Sequence, residues 1–210
     1  QENNLPGLLY MSTTNNTSTE LSGDTLHLND VETFPSTMTE GVFKAGDIMV
    51  SLRNINTLFV FNPNNRQITY LSIGEFVRQH DPDFIDGNTI SIFDNNNLAP
   101  ADSGVQSKII IQSLPDDEPY IYYTGSEEHP FFTDIMGKHE WLPNGNMIIT
   151  ESRNGRAFEI DSEGTIVWEY INILDNGFVG IVEELHRLSA EFDRPFFEQK
   201  SQQCDHTASP

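Results

Sequence analysis

"GDIMVSLRNINTLFVFNPNNRQITYL", Gly46 to Leu71, decides how the chain is read. An opening Gly-Asp leads into a short apolar run and a polar turn at Arg53-Asn54. A second, alternating run follows, then a turn at Asn62-Pro63 and a third run with the aromatic Tyr70. Alternating apolar residues broken at short intervals by Gly, Asn, Asp and Pro mark successive antiparallel hairpins. The layout returns in "GNMIITESRNGRAFEIDSEGTIVWEY", Gly145 to Tyr170, with turns at Arg153-Asn154-Gly155 and Asp161-Ser162 and the aromatic Trp168. A middle copy runs from "GNTISIFDNNN", at Gly87, through a longer connection, "NNLAPADSG", to "SKIIIQSLPDDEPYIYY".

Units of roughly 40 to 60 residues built this way predict the blades of a β-propeller. A blade cannot bury both faces alone, so three blades are part of a ring. The expected division is a polar N-terminal segment (1–23) and blades over 24–76, 77–136 and 137–210, the last including a closing segment. Little of the chain reads as helix. "GFVGIVEELHRLSAEF", Gly177 to Phe192, fits a short helix or a last strand equally.

The 210 residues include 14 Phe, 6 Tyr and 2 Trp, enough aromatic bulk for a core. Lys+Arg is 11 against 32 Asp+Glu, a formal net charge of -21. Such a surface repels phosphate backbones and anionic lipid, so no nucleic-acid partner is expected. No apolar run approaches the roughly 18 residues that span a bilayer, so no membrane insertion is expected either. The one cysteine, Cys204, excludes a disulfide framework and a multi-Cys zinc site. A start at Gln1 rather than Met is expected of a processed or truncated form, and a secreted or periplasmic protein fits the charge. Asn15-Asn16-Thr17 and Asn16-Thr17-Ser18 are overlapping glycosylation sequons.

A further strand is expected before each opening glycine, beside the central channel. His80 lies 7 residues before Gly87 and His139 lies 6 before Gly145, while His27 falls in the matching strand of the first blade. Three histidines there would converge on the axis; His129, His186 and His206 show no such phase. With Asp30, Glu32 and Asp81 they could bind a metal, although no tight ligand spacing is present. Protonated, they could hold an oxyanion, and one could serve as nucleophile or general base. Arg53, Arg78, Lys108, Arg153 and Arg156 are candidate anion partners. The plainer reading makes the histidines strand-edge residues satisfied by backbone carbonyls, and the cations solvent-facing turn charge.

The stretches "LHLNDVE", "GDIMVSLRNINTLFVFNP", "RQHDPDF", "GNTISIFDNN", "LPNGNMIITESRNGRAFEI" and "GTIVWEY", collinear from Leu26 to Tyr170, resemble the arylsulfotransferase family. The resemblance implies an all-β, six-bladed propeller, of which this chain looks like the C-terminal half. Another chain, a removed segment or an unusual assembly would supply the other blades. It implies sulfuryl transfer from a phenolic sulfate ester to a phenol through a sulfated histidine, with no nucleotide donor, cofactor or metal. His27 and His80 then look like sulfuryl-binding residues and His139, by chain order, like the nucleophile. Arg53, Lys108 and Arg153 are the substrate-binding candidates. Family members carry an arginine shortly after the second histidine, whereas "DNNNLAPADSG" has no basic residue before Lys108. Fold membership does not deliver activity, so a non-catalytic module binding a small molecule, glycan or protein partner stands beside the enzyme, as does metal-dependent chemistry. An enzyme should turn His80 and His139 into one cavity near a cation; a binding module should pack at least one of them away.

Overall fold

Twelve strands form three four-stranded antiparallel sheets in the computed structural model, which describes residues 24–98, 103–115, 117–175 and 177–205. The first sheet holds β1 (Leu28–Thr33), β2 (Ile48–Leu52), β3 (Thr57–Phe61) and β4 (Ile68–Ile73). The second holds β5 (His80–Phe84), β6 (Thr89–Asp94), β7 (Lys108–Ser113) and β8 (Tyr120–Thr124). The third holds β9 (Lys138–Trp141), β10 (Met147–Glu151), β11 (Arg156–Ile160) and β12 (Ile166–Ile171). Each sheet meanders in chain order, as hairpin connections dictate. The architecture is therefore all-β and propeller-like, with three consecutive blades. The sequons, the segment 1–23 and His206 lie outside the described residues.

Turn chemistry corrects one detail of the repeat. The β2–β3 turn, Arg53–Ile55, ends on Asn56 at φ 50, and the β10–β11 turn, Ser152–Asn154, ends on Gly155 at φ 58. Asn and Gly tolerate this left-handed conformation better than other residues, and it fixes the register of the turn. Arg53 consequently corresponds to Ser152, and Arg153 corresponds to Asn54.

Two apolar seams join the blades. Ile90 and Ile92 of β6 pack with Phe84 against Met49, Leu58 and Val60 of the first blade, together with Phe34 and Phe43. Phe84 meets the Phe34 and Phe43 rings edge-on, at 5.1 and 5.0 Å. Met147 and Ile149 of β10, with Phe158 and Ile160, pack against Phe93, Ile109, Tyr123 and Phe131. Each such side chain, fully buried, contributes about 1.5–3 kcal/mol. A third cluster, Val50, Leu52 and Ile55 with Ile48, Phe59 and Phe61, lies on the opposite face of the first blade.

Residues 177–192 are neither helix nor strand. After one isolated bridge, Ile173 to Val179, they cross the third blade as an irregular strap. Val182 N–H donates to Ser152 O, the Ser152 hydroxyl to Glu183 O, and Arg187 N–H to Glu140. The strap passes so close over Gly155 that a Cβ there would strike Gly180 O, which leaves only glycine at that turn. The helix lies further on, α1 (Arg194–Asp205), capped by Asp193 Oδ1 accepting from Phe196 N–H at 2.9 Å. Among the described residues no helix is long and apolar enough to cross a membrane.

The first strands of the blades lie side by side, with β5 between β1 and β9. A carboxylate from each of the first two blades accepts an edge amide of the next. Glu32 Oε2 takes Phe84 N–H at 3.0 Å, and Asp81 Oδ2 takes His139 N–H at 2.6 Å. Strand β5 carries a bulge: His80 pairs with Phe93 and Asp83 with Ser91, leaving Asp81, at φ 47, and Pro82 to share the space of one residue. A bulge is one of the few strand sites that admits proline.

Candidate active site

Strand register decides which side chains meet at the axis. Asp30 pairs with Ser51, His80 with Phe93 and Lys138 with Thr150. Ser51, Phe93 and Thr150 come next after Val50, Ile92 and Ile149, which share one face of the second strand in their blades. Asp30, His80 and Lys138 thus occupy one equivalent position. His139 pairs with Ile149, one residue further along, and a one-residue step turns a strand side chain to the other face. Counts of 7 and 6 residues to the opening glycines do not report this step, because the bulge adds a residue after His80. His27 lies just ahead of β1, not in it, at φ 52.

His80 and Lys138 line one cavity of about 150 Å³ with Asn29, Asp81, Met136, Gly137 and Glu183. A cavity of this size admits one aromatic ring. His80 Nδ1 lies 2.6 Å from Asn95 Oδ1 and 3.1 Å from Arg78 O. The Asn95 amide nitrogen donates to Thr133 O and Met136 O, which fixes the oxygen toward the ring. Both partners of Nδ1 accept, so Nδ1 carries the proton and Nε2 the lone pair. Nε2 has no hydrogen-bond partner among the described residues. Burial pushes the His80 pKa down to about 4; the bond to Asn95 opposes this, and the charge of Arg53 adds to it. The ring is neutral at physiological pH.

His139 is packed away, its ring fully buried. Nδ1 lies 3.0 Å from Asp81 Oδ2 and Nε2 lies 2.7 Å from Ser91 Oγ, which also accepts from Trp141 Nε1 at 3.3 Å. Burial opposes its protonation, but the bond to Asp81 and the charges of Asp83 and Asp81 outweigh that and raise its pKa. Asp81 also binds Lys138 Nζ, at 2.7 Å. Burial would raise the Asp81 pKa; the bond to His139 and the charges of His139 and Lys138 lower it instead. The other axial acids are pushed up, chiefly by burial: Asp30 to about 6, Asp83 to about 7 and Glu32 to about 8. Ligand atoms of Asp81, Asp83 and His139 lie within 4.8 Å of one another and could hold a cation, although both His139 nitrogens already have partners.

The remaining candidates lie outside the lining of this cavity, although the charges of Arg53 and His27 reach His80. His27 is half exposed and bound to Asp24 through Nδ1, at 2.5 Å. Arg53 is part-buried, and burial with the neighbouring Arg78 charge lowers its pKa. The Arg78 Nε is buried without a partner. Lys108 opens β7 and its charge acts on the buried Asp94. Arg153 is paired to Asp134 at 2.6 Å, while Arg156 binds Glu151 and Glu169 and lies over the Phe158 ring. Lys138, Asn95 and Ser91 escaped the sequence reading. Lys138 stands beside His139 in "GKHEW", where only the register reveals which of the two faces the cavity.

The model of the family described as Arylsulfotransferase (ASST) matches residues 5–173. The sequence finds no match among curated proteins.

Proposed function

The chain belongs to the arylsulfotransferase family, and on that premise we propose that it moves a sulfuryl group from a phenolic sulfate ester to a phenol, with His80 as the carrier. The observation behind this is the fixed tautomer: Asn95 and Arg78 O hold the proton on Nδ1, leaving the Nε2 lone pair of a cavity residue without a partner among the described residues. Nε2 attacks sulfur, the sulfur–oxygen bond to the aryl group breaks, and the phenol leaves. The acceptor phenol then takes the group from Nε2. A ring that stays neutral down to about pH 4 keeps its lone pair at any physiological pH. His139, with both nitrogens engaged and its ring buried, serves the blade seam instead.

A second reading, a non-catalytic module that binds a small molecule, draws support from the buried His139 and from the carboxylates crowding the axis. The two part in a transfer assay on the full-length protein with 4-nitrophenyl sulfate and a phenol acceptor, followed by peptide mapping. Transfer with a sulfated His80, lost in His80→Ala and retained in a folded His139→Gln, supports the enzyme. A folded protein without transfer, or sulfate on another histidine, removes His80 from the role.

A further inference from the structure

We propose that Lys138 is a second catalytic residue of this cavity, its ammonium holding the phenolic oxygen that leaves the donor and, in the return step, the one that attacks. The inference rests on the transfer reading above.

Lys138 occupies the strand position equivalent to that of His80, and both line the same cavity. The neighbouring backbone is tightly fixed. Gly137 N–H donates to Ser152 Oγ at 3.1 Å, and a Cβ on Gly137, whose φ is 104, would stand 2.5 Å from the Phe93 ring. One ammonium hydrogen goes to Asp81 at 2.7 Å, and Asp30 stands at 3.9 Å. An ammonium has three hydrogens, and the Lys138 side chain is 35 % exposed, so donors remain for a ligand. Of the other candidate cations, Arg153 is tied to Asp134 and Lys108 acts on Asp94, while Arg53, whose charge reaches His80, binds Asn54 and does not line the cavity. Burial works against the charge on Lys138, but Asp81 and Asp30 outweigh it and keep the group protonated.

As the His80 Nε2–sulfur bond forms, the electron pair of the breaking sulfur–oxygen bond moves onto the aryl oxygen. A fixed N–H donor in a confined cavity stabilises that developing charge more than water does. The proton stays on Lys138, and the departing phenolate takes its own from solvent. The acceptor phenol gives its proton to solvent and binds as phenolate beside Lys138. Its oxygen attacks sulfur, and the nitrogen–sulfur electron pair returns to Nε2.

Two donors separate this role from a structural one: 4-nitrophenyl sulfate, with a good leaving group, and phenyl sulfate, with a poor one. Lys138→Met should lower kcat/KM about 100-fold or more for phenyl sulfate and less than about tenfold for 4-nitrophenyl sulfate. Equal losses on the two donors would overturn the proposal. A second readout needs no turnover. Wild-type protein should bind 4-nitrophenol preferentially as the phenolate, seen as yellow absorbance at a pH where the free phenol is mostly protonated. Lys138→Met and Lys138→Gln should lose that preference, and Lys138→Arg should regain part of it. A wild type without the preference sinks the proposal whether or not transfer occurs. The preference without any sulfated His80 would instead sink the transfer reading and leave Lys138 as a phenolate-binding residue.

Discussion

Met49 and Ser91 hold the same position on the second strand of their blades, each facing the next blade. Met49 meets phenylalanine and isoleucine side chains; Ser91 meets His139 and Trp141. At this position the first seam makes apolar contact, which has no preferred direction; its directional bonds lie elsewhere, at Glu32 to Phe84 N–H and at Gln79 to Ser51 and Thr57. The second adds the chain Asp81–His139–Ser91–Trp141, whose hydrogen bonds fix β9 against β5. Lys138, bound to the same Asp81, is thereby set beside His80. The comparison separates two tasks at one strand position, cohesion at Met49 and alignment of the cavity wall at Ser91.

The sharpest way to break it is Asp81→Ala. That change leaves the buried His139 ring and the Lys138 ammonium without their shared carboxylate, and stability should fall by about 3–5 kcal/mol, read from urea denaturation. Ile92→Ala, in the apolar seam, should cost about 2–5 kcal/mol and leave the pH dependence of stability unchanged.

The pH dependence belongs to the axis. His139 has a folded pKa above its ordinary 6.5, so its contribution is complete below that value and lost as pH rises through the folded one. Asp30, Asp83 and Glu32, raised to about 6, 7 and 8, also favour the folded state at low pH and lose that advantage as pH climbs. Asp81 runs the other way: its contribution stands above its ordinary 3.8 and disappears as pH falls through its lowered value. Stability should therefore peak at about pH 4–5 and decline toward pH 8. Glu32→Gln, which keeps an acceptor for Phe84 N–H, should flatten the alkaline part of that decline in thermal melts taken across the range.

Gly137→Ala should cost about 1–3 kcal/mol, since it combines a positive φ with a collision against Phe93; a lowered melting temperature would register it. Asn95→Asp is read at the site rather than in stability, because Asn95 is buried and its amide nitrogen also holds Thr133 O and Met136 O, bonds that a carboxylate cannot make. A carboxylate there favours the charged imidazole, so the His80 pKa should rise from about 4, as an NMR titration of the ring would show. An unmoved pKa would mean that Asn95 does not set the state of His80.

The hairpins and the three blades were legible because alternation and turn residues are local signals. Inner-strand register was not, because the bulge at Asp81-Pro82 adds a residue that spacing alone cannot assign to either face. His139 therefore read as an axial residue while its neighbour Lys138 went unnoticed. The turns misled in the same way: aligning Arg53 with Arg153 ignored the left-handed Asn56 and Gly155, which set the true correspondence. The strap at 177–192 has spacing that fits a helix or a strand equally, but it packs as an irregular crossing. The real helix carried a readable cap in Asp193 with Pro195 in its first turn.

The acids that cap the inner-strand edges act in one direction along the chain. Glu32 of the first blade covers an amide of the second, and Asp81 of the second covers an amide of the third. An unpaired strand edge is a template for any stray strand, and domains generally form in N-to-C order during synthesis. Each new edge thus emerges beside a blade that already holds the carboxylate to block it. Glu32 and Asp81 leave one fewer free amide on each of the next two inner edges, in the order in which the chain runs.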